Sequence, residues 1–181
     1  MTREMAASHE DPSAVRTRRS PLVLGAIAGL VAGAMMAIYA MIASAIGFGG
    51  AGFFTPLYGI AAPVVGVGEM ERSMQAGIFH FAPLPAFVGL MGHMMWSAIY
   101  GAIFGAIAAA VRLTGVAAVA IGGLYGIAVM VVMSFVALPL FGLATMPQMV
   151  GTPSWTIEHL IFGMALGAWP ALRPGDLGAA R

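Results

Sequence analysis

The chain has no cysteine and no lysine, and only 8% of its 181 residues carry a charge. The missing cysteines exclude disulfides, thiolate metal sites and thiol nucleophiles. The missing lysines exclude Schiff-base chemistry and the lysine of a phosphate loop. So little charge excludes an ordinary soluble domain, in which about a quarter of residues are charged. With a net charge of +1 and no basic face, nucleic acid is excluded as a partner. There is no HExxH, no phosphate loop and no nucleophile–base pattern, so the chain reads as a non-enzyme.

What remains is apolar: hydrophobic residues make up 60% of the chain. Its solvent is the lipid bilayer. A spanning helix needs about 20 apolar residues, because each residue rises about 1.5 Å and the hydrocarbon layer is about 30 Å thick. Four stretches are read as spans, at roughly 21–48, 84–111, 116–141 and 155–172. They predict an all-α, polytopic domain over 21–173 with four transmembrane helices and a long outer loop between the first two. Residues 1–20 and 174–181 are read as polar tails, the first disordered. The first apolar stretch is too long for a cleaved signal and is read as an anchor that stays.

Arginines set the orientation. With four spans, Arg3, Arg16, Arg18, Arg19, Arg112, Arg173 and Arg181 share one side and only Arg72 lies on the other. The positive-inside rule then puts both termini in the cytoplasm. An Ala- and Gly-rich, arginine-only composition suits a GC-rich bacterial genome, so the expected address is a bacterial inner membrane. The outer stretch "GAGFFTPLYGIAAPVVGVG" (50–68) is apolar but broken by Pro56, Gly59 and Pro63, and is read as interfacial or re-entrant. "EMERSMQAGIFHF" (69–81) is read as a short surface helix.

Two segments resemble each other. When His93 is set over His159, Trp96 meets Phe162, Ser97 meets Gly163 and Gly101 meets Gly167. Residues 33–49 lie over 126–142 more loosely, both opening on glycine. The expectation is two repeated helical hairpins with an axis along the membrane normal. Gly25, Gly29 and Gly33 fall four apart, as do Ser97, Gly101 and Gly105, Gly122 and Gly126, and Gly163 and Gly167. Small residues at that spacing let helix backbones approach closely.

His93 and His159 share the small-residue faces and enter from the outer side, so both rings are expected inside the bundle, facing each other. Intramembrane polar groups are costly and face the interior or water. Three readings stand open. The rings hydrogen-bond neighbours and hold helices together; they ligate a metal or the iron of haem b; or they line a proton or solute path. Methionine thioethers favour copper(I), so His80, His93, Met94 and His159 are the candidate metal ligands, with Met70, Met74, Met146 and Met149 as an outer entry site. Methionine also fills gaps in apolar cores. Glu158 points about 100° away from His159 on the helix and is read as an interface marker. Trp155 and Trp169 are read as aromatic-belt anchors.

The phrases "GFFTPLYGIAA" (52–62), "GHMMWSAIYGAIFG" (92–105), "GGLYGIAVMVVMSFVALPLFG" (122–142) and "EHLIFGMALGAW" (158–169) together resemble a family of small, four-span, YagU-like bacterial membrane proteins of unknown function. Leu166 departs from that pattern, standing where an aromatic is expected. The resemblance implies a fold and a membrane address, and no activity. The functional expectation is a small integral protein with a paired-histidine site, structural or binding haem or copper. The alternatives are a transport or channel subunit acting as a homo-oligomer, or an accessory subunit of a larger membrane complex.

Overall fold

A computed structural model describes residues 20–75 and 79–172. Nearly all of the expected tails lie outside those bounds. The described residues contain helices and no strand. In chain order the helices are α1 (Pro21–Gly47), α2 (Thr55–Val65), α3 (Gly68–Gln75), α4 (Pro83–Ala110), α5 (Gly115–Val132), α6 (Leu138–Leu140), α7 (Met146–Val150) and α8 (Thr152–Leu172). A 3₁₀ turn (Gly50–Phe54) precedes α2, and a π-helical turn (Met133–Ala137) joins α5 to α6.

Local chemistry sets the helix ends. Pro21 opens α1 behind Ser20, whose hydroxyl accepts the Leu22 N–H at 3.3 Å, an arrangement suited to the first turn. After α4, Arg112 turns left-handed at φ 53°. The Leu113 and Arg112 N–H groups then close on Ala108 and Ala109 at 2.9 and 3.4 Å, which is a Schellman ending. Gly142, at φ 74°, ends α6 in the same way, with bonds from Leu143 to Leu138 and from Gly142 to Pro139. Pro139 also accounts for the π turn before it. It brings no N–H, and its ring crowds the carbonyl four residues back.

Packing follows membrane logic. On α1 the buried positions are small (Gly25, Ala28, Gly29, Ala32, Gly33, Ala37 and Ala40), while Leu22, Val31, Ile38 and Ile42 face outward. Close backbone approach, rather than large buried side chains, joins helices in lipid. A Cβ placed on Gly29 would strike the Ser97 carbonyl and sit 2.9 Å from the Gly101 Cα. A Cβ on Gly122 of α5 would strike the Gly163 carbonyl of α8 and sit 2.9 Å from the Gly167 Cα. Setting His93 over His159 carries Ser97 onto Gly163 and Gly101 onto Gly167. The α1–α4 and α5–α8 pairs therefore close on equivalent residues. The rest of the arrangement is unequal: α8 lies directly against α1 as well as α5. The matching α4–α5 side is wider and filled by rings, Phe104 against Tyr125 at 5.1 Å.

The expected count of four spans is corrected. Among the described residues three helices are long and apolar enough to cross a membrane: Pro21–Gly47, Pro83–Ala110 and Gly115–Leu140. The stretch read as the fourth span falls within α8. That helix is long enough but insufficiently apolar, because Thr152, Ser154, Thr156, Glu158 and His159 crowd its first half. It meets the other helices over a tightly packed face, with Phe162 and Leu166 in the main core. With three spans, the arginine partition no longer places Arg173 and Arg181. The chain is thus an all-helical, multi-pass, membrane-associated protein, and the four-helix-bundle reading does not stand.

The segment between α1 and α4 is a folded cap. The carbonyl of Leu57 on α2 sits where a Cβ on Gly89 of α4 would be. Buried Tyr58 ties the cap down: its hydroxyl accepts the Ala82 N–H at 2.8 Å and donates to the His80 carbonyl at 3.2 Å. Burial pushes the Tyr58 phenol up from its ordinary pKa, so it keeps the proton that it donates. Thr55 and Ser73 join hydroxyls at 2.7 Å, and Phe54 packs among Phe53, Tyr58, Phe79 and Phe81.

Candidate functional site

Two histidines, one carboxylate and three cavities make up the site. His93 reaches across from α4 to α1, where its Nε2 lies 2.9 Å from the Gly33 carbonyl. A carbonyl only accepts, so Nε2 carries the hydrogen. Ser97, one turn on, donates to the His93 carbonyl at 2.8 Å, and its side chain occupies the space over Gly33. His159 is 2% exposed. It turns back on its own helix, where Nδ1 donates to the Trp155 carbonyl at 2.8 Å. The two equivalent histidines thus play different parts: one links two helices, the other is held within α8.

The π turn aims two more polar atoms at this region. Ser134 accepts the Trp155 indole N–H at 2.9 Å, and the Met133 sulfur accepts the Tyr100 hydroxyl at 3.5 Å. Trp155 is therefore a buried residue packed against His159, with ring centroids 4.4 Å apart, and not a belt anchor. Trp169 likewise packs against the main core.

His93 and His159 line the same two small cavities. One, of ≈ 40 Å³, is completed by Met36, Ser97, Tyr100 and Met133. The other, of ≈ 70 Å³, is completed by Trp155, Glu158 and Met146, among others. Next to them lies a larger cavity of ≈ 500 Å³ at the cap end, walled by the end of α1, α2, α3, α7 and the start of α8. Ala40, Pro56, Met146 and Val150 belong to both the large cavity and the middle one. Met70, Met74, Met146 and Met149 all line the large cavity, a mostly apolar space bounded by the cap and by the segment before α8.

Glu158 was misjudged from the sequence. It is 3% exposed and faces the middle cavity, and its Oε1 accepts from Ser154 at 3.3 Å. Ser154 itself lines the large cavity. Two signals were available: a carboxylate inside an apolar stretch, which membrane segments rarely carry without a role, and a serine four residues before it on the same helix face.

The haem and copper readings are corrected. Among the described residues, no three His, Cys, Asp or Glu side chains gather as a metal would need. The smaller cavity lined by both imidazoles has room for about one water, not a macrocycle. His80 belongs to the cap, with Nε2 2.7 Å from Glu69 Oε2, and lines neither of the cavities that His93 and His159 share. Met94 is half-buried and lines neither as well.

No protein-family model matches the chain, and no curated protein or solved structure matches it. With three candidate spans in place of four, this withdraws the resemblance to small YagU-like proteins.

Proposed function

We propose that the chain is a small, non-enzymatic, multi-pass protein of a bacterial inner membrane that takes up an apolar guest in its outer cavity. The observation that carries this reading is the cavity itself. Its ≈ 500 Å³ falls within the range of about 300–1,000 Å³ typical of small-molecule sites. Among the described residues no Asp, Glu, Arg or His lines it, and the four methionines give it an adaptable wall.

The arginines near α1 and α4 support one orientation. The start of α1 packs beside the end of α4, since Gly105 abuts the Pro21 carbonyl. Arg16, Arg18 and Arg19 precede α1 and Arg112 follows α4, so the positive-inside rule puts that end in the cytoplasm. The cavity then opens at the outer face. His93 and His159 serve beneath it as polar ties, His93 through its bond to Gly33 on α1.

The test is saturable binding of a neutral apolar fluorophore, N-phenyl-1-naphthylamine, to the purified protein in nanodiscs. Ala43 lines the cavity, so Ala43→Phe should narrow it and weaken the saturable component. A signal no larger than that of empty nanodiscs overturns the reading. The succession of cavities down to the histidines favours a second reading, a subunit of an oligomeric transporter. It requires solute flux in liposomes that His93→Ala abolishes.

A further inference from the structure

We propose that Glu158 makes the outer cavity selective for organic cations: an apolar body fills the cavity and the positive centre seats against the carboxylate. This rests on the guest-binding reading above and adds the charge of the guest. Among the described residues, Glu158 is the only acidic side chain lining the middle cavity, none lines the outer one, and no arginine lines either. A buried carboxylate without a cation partner is costly in such surroundings. The described arginines are elsewhere: Arg72 pairs with Glu69 in the cap, and Arg112 lies at the opposite end of α4. His93 and His159 share the middle cavity with Glu158, yet each has a ring N–H turned to a carbonyl, Gly33 or Trp155.

The path to the carboxylate is short and soft. Ser154 lines the outer cavity and donates to Glu158, so the carboxyl lies just behind the cavity wall. Met146 belongs to both cavities. Its three rotatable bonds let it move aside without backbone change. The middle cavity, at ≈ 70 Å³, takes a water or two or a compact charged head. Trp155 is on its wall, and an indole ring attracts cations.

The experiment compares decyltrimethylammonium with decanesulfonate, two decyl chains with compact heads of opposite charge, by equilibrium binding to the protein in nanodiscs, with empty nanodiscs subtracted. The expected result is a cation preference of at least tenfold, which Glu158→Gln removes while the folded fraction on size exclusion stays unchanged. Equal binding of both ions, or a preference that survives Glu158→Gln, overturns the inference and leaves the guest cavity standing. If the two ions and the neutral fluorophore all fail to bind, the cavity reading falls and takes this one with it. Should Glu158→Gln not fold, the wild-type ratio decides alone, and a value below tenfold refutes the role of the carboxylate.

Discussion

Gly29→Ala is the sharpest test of how this protein is held together. The added methyl would strike the Ser97 carbonyl and lie 2.9 Å from the Gly101 Cα and 3.1 Å from the Ser97 carbonyl carbon. All three obstacles are backbone, so no rotamer change relieves them, and α1 must move away from α4. Overpacking of this kind costs about 1–3 kcal/mol, partly offset by the gain of about 1 kcal/mol from replacing a helical glycine by alanine. The upper half of the range applies here, because both helices lose van der Waals contacts along the whole glycine stripe when they separate. A net loss of about 1–2 kcal/mol is expected. Gly122→Ala meets the equivalent obstacles on α8, the Gly163 carbonyl and the Gly167 Cα, and should lose the same amount. Gly47→Ala is the control, since nothing lies within 4 Å of its Cβ position. The assay is the midpoint of reversible unfolding in mixed micelles of dodecyl sulfate. If Gly29→Ala unfolds at the same midpoint as Gly47→Ala, the close approach of α1 and α4 is wrong. If Gly29→Ala and Gly122→Ala differ by more than about 1 kcal/mol, which is most of the expected loss, the equivalence of the two helix pairs is wrong.

Other consequences are as specific. Tyr58→Phe removes the acceptor of the Ala82 N–H and the donor to the His80 carbonyl. It should cost about 1–3 kcal/mol and speed amide exchange at Ala82, while an unchanged exchange rate there would count against the tie. His93→Leu removes the link to Gly33 and should cost only about 0.6 kcal/mol, and at most about 1.7 kcal/mol. A loss well beyond that, read from the same unfolding midpoint, would show a task other than tying helices. Gly142→Ala puts a side chain at φ 74° and should cost about 1–2 kcal/mol, whereas Gly47→Ala should not destabilise.

The sequence by itself determined the solvent and the helices. A chain with 8% charge and long apolar runs has to bury itself in lipid, and proline, glycine and serine at the run ends place helix boundaries to within a few residues, as at Pro21 and Pro83. The small-residue stripes were legible too, because a fixed helical period assigns each residue to a face, and Gly29 and Gly122 show those faces in contact. Tertiary structure decided the rest. The apolar run after Trp155 suggested a span, but two of the polar residues that disqualify α8 are carried inward: Glu158 and His159 are covered because α8 lies against both α5 and α1. Burial of a side chain depends on what lies over it, and the period of its own helix does not reveal that. The same holds for the cap. Pro56, Gly59 and Pro63 mark irregularity in sequence, yet only the packing of α2 on α4 and the bonds of Tyr58 make a folded lid of it. The cavities are the last step. They are the space left where helices of unequal separation and short capping segments fail to fill one another, so their volume and walls exist only once every element is in place.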